Sequence, residues 1–161
     1  MYHTEDAEIV LLMMGSFATK AIDAVDHLRR QGVPVGLLRL RLFRPFPAEA
    51  VRSELSGKRA VAVIDQNLSV GKGGILHSEV ASVLYGTAQA PKVLTSFIGG
   101  LGGRDIRLDE FCEIVAATVR AADSGRLPPP LLLVTEDELR QVRKLHEIAT
   151  VDRHSAMQAE G

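Results

Sequence analysis

The sequence predicts an α/β fold, a three-layer α/β/α sandwich built on a mostly parallel sheet. Three observations carry that expectation. Short unbroken apolar runs recur along the chain, each closed by turn residues; stretches with helical apolar spacing follow them; and the connections are short. Strands buried on both faces read as continuous apolar runs, and their alternation with amphipathic helices puts helices on both sides of one sheet.

The first run, Glu8-Ile9-Val10-Leu11-Leu12-Met13-Met14, ends at Gly15-Ser16 and reads as a buried strand. Ser16 is placed to cap a helix on which Ala18, Ile22, Val25 and Leu28 share one side, and Gly32 is placed to end it in a left-handed conformation. Residues 35–42 form the second strand, and Pro47 opens a short helix with Val51 and Leu55 on its inner side. Residues 60–64 form the third strand. A loop over 65–74 leads to a helix over 75–85 with Ile75, Val80 and Leu84 in the core. Residues 92–98 supply a fourth strand. The glycine-rich loop 99–105 then precedes a helix whose stripe is Leu108, Phe111, Cys112, Val115, Val119 and Ala122.

The chain divides into an α/β domain over 1–123, a proline-rich connector over 124–130, and a C-terminal part over 131–161. Pro128, Pro129 and Pro130 lack backbone donors and favour a stiff, extended connection. Beyond them, residues 131–134 read as an edge strand. Thr135 and Glu138 have the spacing of a capping box for a helix presenting Leu139, Val142, Leu145 and Ile148, and the last residues read as frayed.

Composition excludes several function classes. With 161 residues, 46% hydrophobic content and a net charge of −1, the chain can bury one ordinary core and lacks the broad positive field of a nucleic-acid binder. No apolar run approaches the roughly 20 residues that span a bilayer. The polar, acidic N-terminus does not resemble a secretory signal, which makes the cytoplasm the expected compartment. A single cysteine, Cys112, rules out an internal disulfide and a cysteine-built iron–sulfur or zinc site. Its place in an apolar stripe reads as an inert core thiol.

Several motifs stand in one order along the chain: residues 35–47 ending in Arg44-Pro45-Phe46-Pro47, then Ala62-Val63-Ile64-Asp65, Gly71-Lys72-Gly73-Gly74-Ile75-Leu76, and Ile98-Gly99-Gly100-Leu101-Gly102-Gly103-Arg104-Asp105. Over residues 5–122 this resembles the C-terminal domain of the α-subunit of pyruvate and related 2-oxoacid:ferredoxin oxidoreductases, a domain similar to that of transketolase. The resemblance implies a five-stranded, mostly parallel sheet and a role in packing beside cofactor domains. It also implies a parent complex that uses thiamine diphosphate, magnesium and iron–sulfur clusters to decarboxylate a 2-oxoacid, with ferredoxin and coenzyme A as partners reached through that complex. Neither a Gly-Asp-Gly motif nor a preceding pyrimidine-binding domain is visible, so the chain alone is expected to be inactive and to hold no cofactor. One departure concerns the helix start after Asp105, where Arg107-Leu108 stands in place of Thr or Ser followed by Pro.

Candidate sites follow. Gly71, Lys72, Gly73 and Gly74, and likewise Gly102, Gly103 and Arg104, could lay amides around an anion before a helix, although tight turns and close backbone packing are the leading account of the glycines. Arg39 and Arg41 alternate with leucines and, with Arg44, place positive charge near the carboxyl end of a strand, where ligands of parallel sheets bind. Contact with another subunit is expected at Arg39, Arg41, Arg44, Arg104, Asp105, Leu139, Val142 and Leu145. The dispersed histidines form no metal pair or triad, so neither a catalytic residue nor a metal ligand is assigned. Three functions remain open: a structural subunit-contact domain, with a homo-oligomer as a further form; a stand-alone phosphate- or coenzyme-A-binding domain; and the equivalent domain of a 2-oxoacid dehydrogenase E1 or a transketolase.

Overall fold

The structure, a computed structural model, describes residues 1–69, 71–135, 137–140 and 144. The elements are β1 (Ile9–Met14), α1 (Ala18–Arg30), β2 (Val35–Leu40), α2 (Ala48–Leu55), β3 (Ala60–Asp65), α3 (Ile75–Leu84), β4 (Val93–Ile98), α4 (Leu108–Ser124) and β5 (Leu131–Leu132), with one 3-10 turn at Leu101–Gly103. The strands lie in the order β2-β1-β3-β4-β5, and every pairing is parallel. The architecture is the three-layer α/β/α sandwich.

Alternate residues of β1 to β4 feed two separate cores. Leu11, Met13, Leu37, Ala62 and Phe97 pack under α1 and α4, against Val25, Phe111 and Ile114. Val10, Leu12, Leu38, Val61 and Val63 pack under α2 and α3, against Val51, Leu55, Leu76 and Val80. Burying one such large aliphatic or aromatic side chain contributes about 1.5–3 kcal/mol, which is why the strands tolerate no polar alternation. The chain passes from β1 to β2 over the α1 face, then reverses to β3 and β4 over the opposite face. The β4–α4–β5 connection returns to the α1 face and so has the opposite hand to the other three. β5 pairs over two residues, and Leu131 and Leu132 remain 40% and 47% exposed.

Several local expectations are corrected. Ser16 supplies no side-chain cap: Phe17 is already helical at φ −61° and ψ −20°, and only the Ser16 carbonyl is used, by Thr19 N–H at 3.0 Å. Leu76 replaces Ile75 in the core at 3% against 39% exposure, because the Leu76 and His77 amides are drawn to a carboxylate below them. On α4 the buried stripe is Phe111, Ile114, Val115, Thr118 and Ala121, while Leu108 is 45% exposed. That rotation buries the Thr118 hydroxyl 2.9 Å from Thr95, with the Ile114 and Val61 carbonyls as further acceptors. β2 ends at Leu40, leaving Arg41 and Leu42 beyond the strand. Cys112 is partly buried, and burial pushes its thiol up from the ordinary value.

The outer edge of β2 is partly closed by the N-terminus. Tyr2 and Leu37 exchange backbone hydrogen bonds at 2.9 and 2.8 Å, and Tyr2 Oη donates to Asp26 at 2.7 Å. Arg29 ties this segment down, donating to the Val35 and His3 carbonyls and to both Asp6 oxygens at 2.7–2.9 Å. Only glycine fits at position 36, where a Cβ would stand 2.3 Å from the His3 carbonyl oxygen. Gly36→Ala is therefore expected to cost about 1–3 kcal/mol in denaturant unfolding and to speed amide exchange at Leu37.

Candidate functional site

The carboxyl ends of the strands gather the loops that the motifs mark. Strand order reverses between β1 and β3, the position where open parallel sheets form a crevice. Here the crevice encloses about 240 Å³ and is lined by Met14, Phe43, Asp65, Gln66, Asn67 and Ile75 among others. A larger groove of about 530 Å³ runs between α4 and residues 131–135.

Asp65, the last residue of β3, organises the crevice floor. Its carboxylate accepts from Leu76 N–H at 2.8 Å and His77 N–H at 3.0 Å, and Asn67 Oδ1 accepts from Ile75 N–H at 3.1 Å. The leading amides of α3 are thus spent within the chain, and the positive end of the helix dipole faces an internal anion. Burial pushes the Asp65 carboxyl above its ordinary 3.8, against the pull of the two amides and His77. Gly74 is required by this contact, since a Cβ there would lie 1.9 Å from Asp65 Oδ2. Gly71, Lys72 and Gly73 form a turn closed on Ser69, whose carbonyl accepts from the Lys72 and Gly73 amides at 3.0 and 3.1 Å. Lys72 itself is exposed.

The second glycine loop is likewise bonded internally. Gly103 N–H donates to Gly100 and Arg104 N–H to Leu101, both at 3.2 Å. The Arg104 guanidinium reaches Glu110 on α4 at 2.7 Å and Glu138 at 3.0 Å, and so joins the loop, the start of α4 and the C-terminal segment. Glu110 also accepts from Arg107 N–H at 2.9 Å, capping α4 without the Thr or Ser that the resemblance led one to expect. Asp105 pairs with Lys20 at 2.5 Å, and that ammonium holds its carboxyl below the usual carboxylate range. Thr135 and Glu138 form a reciprocal cap: Glu138 accepts from Thr135 N–H at 2.6 Å, and Thr135 Oγ1 accepts from Glu138 N–H at 3.2 Å.

The three arginines near β2 separate. Arg44 turns to Glu79 on α3 at 2.6 Å and lies over the Phe43 ring at 4.1 Å. Arg39 lies half-buried in β2, and Arg41 is exposed just beyond it. Leu139 is 39% exposed, whereas Val142, Leu145 and Ile148 lie outside the described residues. Asp65 and Asn67 escaped the sequence reading as functional groups, although an acid ending an apolar run before a glycine-rich helix start was the available signal. A diphosphate cofactor needs free amides and cations, and the amides of α3 and the Arg104 guanidinium are already engaged by Asp65, Asn67, Glu110 and Glu138. The arrangement does not fit thiamine diphosphate.

Two outcomes follow from these contacts. Asp65→Asn presents an NH2 group to one of the two amides and is expected to lose about 1–3 kcal/mol of stability. Because the folded carboxyl titrates above 3.8, the wild-type advantage is fully present below that value. It shrinks as pH rises through the raised pKa, which denaturant titrations at several pH values would measure. Arg104→Gln removes the link to Glu138 and is expected to speed amide exchange at Leu133 and Leu139. The Thr135 amide and hydroxyl, with Arg104, hold Glu138 below its ordinary 4.5, so in the wild type the same loosening appears only as pH falls through that depressed value.

Comparison with known proteins agrees with this geometry. Residues 7–111, more than half of the chain, match the family model described as pyruvate:ferredoxin oxidoreductase core domain II. A pyruvate synthase subunit PorA of Methanothermobacter thermautotrophicus is 42% identical over 117 residues, covering 73% of this chain and 29% of that protein. A ketoisovalerate oxidoreductase subunit VorA of Pyrococcus horikoshii is 38% identical over 125 residues, covering 78% and 32%. The chain thus spans about a third of the length of these relatives. A solved structure titled split gene transketolase, inactive beta4 tetramer, shares the fold with a TM-score of 0.57 at 22% identity, over 78% of this chain and 42% of that one. With its motifs, its sheet order and this match in agreement, the chain belongs to the family of pyruvate:ferredoxin oxidoreductase core domain II.

Proposed function

We propose that this chain is a structural, subunit-contacting domain of a thiamine-diphosphate-dependent 2-oxoacid:ferredoxin oxidoreductase and has no turnover of its own. One observation carries the reading. Asp65, Asn67, Arg44 and Arg104, which reach the carboxyl end of the sheet, are committed to holding loops and helix starts, and they do not converge on a reacting atom. Such a rigid end suits a surface against which other domains pack, and family membership supplies the setting. In this reading the thiamine, magnesium and iron–sulfur centres reside on other polypeptide, and ferredoxin and coenzyme A are met only through the assembly. The α/β domain over 1–123, the connector over 124–130 and the segment from 131 onward would then act as one packing unit, with Arg104 joining the first to the last. Among the described residues no helix is long and apolar enough to cross a membrane, and a cytoplasmic setting accords with that.

The test is 2-oxoacid-dependent reduction of a low-potential acceptor in the presence of thiamine diphosphate, magnesium and coenzyme A. The chain alone is expected to show no rate above background, and the same assay with thiamine-binding and iron–sulfur subunits added is expected to recover one. Turnover by the isolated chain would overturn the proposal. Saturable calorimetric binding of coenzyme A to it would favour the stand-alone binding domain instead.

A further inference from the structure

The outer edge of β4 is covered by a short piece of chain held at a few points. β5 pairs over Leu131 and Leu132, which stay 40% and 47% exposed, and just beyond them the Leu133 amide donates to the Ile98 carbonyl at 2.8 Å. The crossover that delivers β5 has the hand that parallel connections almost never take, so the twist of the sheet does not help to seat it. Leu133 packs against the apolar body beside Gly99 and Ile106, and the Arg104–Glu138 pair at 3.0 Å ties the following residues back.

A group beneath this segment opposes its seating. The parallel register sets Pro130 beside Ser96, one step before the Phe97–Leu131 pair. Gly73 lies against both, since a Cβ built there would stand 3.2 Å from Pro130 Cγ and 3.9 Å from Ser96 Oγ. Ser96 is 5% exposed, and its Oγ is shut off from solvent with no hydrogen-bond partner among the described residues. Thr95, on the opposite face of the same strand, shows the contrast: its hydroxyl is bonded to Thr118 and to the Val61 carbonyl. A buried hydroxyl without a partner costs stability, and water would satisfy it once Pro130 moved away. The seated state therefore carries a penalty that the lifted state lacks.

We infer that residues 130–135 form a strap that lifts off β4 while the rest of the fold stays intact, with the Arg104–Glu138 pair as its catch and the Ser96 hydroxyl as its built-in release. Lifting removes the wall of the larger groove that residues 131–135 supply, and it brings Phe97, 2% exposed when covered, to the surface. The domain thus holds an apolar surface on the α4 side of the sheet that is shown only with the strap off. A neighbouring surface that binds it shifts the balance by its difference in affinity for the two states. The device belongs to this chain and does not rest on the identity of a parent complex.

The test is native-state amide exchange on the full chain, with Leu133 reporting the strap and Gly99, whose N–H donates to the Asp65 carbonyl at 2.9 Å, reporting the body. In the wild type, Leu133 is expected to exchange at least about tenfold faster than Gly99 after correction for intrinsic rates, with little dependence on denaturant. Ser96→Ala is expected to slow both amides by the same factor, about tenfold, because it removes a penalty present only in the seated state. Equal protection of the two amides in the wild type would overturn the inference, since strap and body would then open together. Unchanged or faster exchange at Leu133 in Ser96→Ala would overturn it as well. In that case the hydroxyl is either satisfied beneath the strap or still covered after the strap has left, and a simultaneous slowing at Gly99 marks the second.

Discussion

β1 has no face left for water: Ile9 is 1% exposed and Val10 to Met13 are wholly buried. A parallel strand in this position needs helices on both sides and strands on both edges, and the remaining architecture meets that requirement. α1 and α4 cover one face and α2 and α3 the other, while β2 and β3 take the edges. With both faces consumed by packing, charged groups are confined to the ends of the strands and to the outer edges of the sheet.

The strand ends are used for self-support. Asp65 is the clearest case, a carboxylate buried far enough to raise its pKa and yet retained, because it supplies acceptors to the two amides of α3 that packing has hidden from solvent. Replacing it with an apolar residue would fill space and strand those donors. Arg104 performs the corresponding task on the other side of the sheet, where a half-buried guanidinium satisfies two carboxylates from separate segments. A domain that commits its charges in this way becomes stiff at that end.

The two outer strands differ in how they end the sheet. β2 carries six residues and is sewn to the N-terminal segment through Tyr2 and Arg29, so its closure is built from specific hydrogen bonds. β5 contributes two exposed leucines, arrives after three prolines, and is reached by a connection of unusual hand. Its hold on the body depends on the Leu133 amide, which donates to Ile98, and on Glu138. The contrast places the more permanent edge at β2 and the more readily displaced one at β5.

Much of this was legible in the residues. Unbroken apolar runs such as 9–14 and 60–64 specify buried parallel strands whatever surrounds them, and the helices between them follow from apolar spacing. The Thr135–Glu138 cap was readable because both partners lie within one turn. Helix rotation was harder: Leu76 over Ile75, and Thr118 over Val119, were decided by a carboxylate eleven residues away and by a threonine on β4. What the sequence by itself determined are the elements, their order and the family, since these depend on local patterning. Only the tertiary structure decided that the glycine-loop amides are already spent, and that Arg44 is paired while Arg39 Nε finds no acceptor among the described residues. Hydrogen-bond satisfaction is a property of groups brought together across the fold, and sequence spacing carries no record of it.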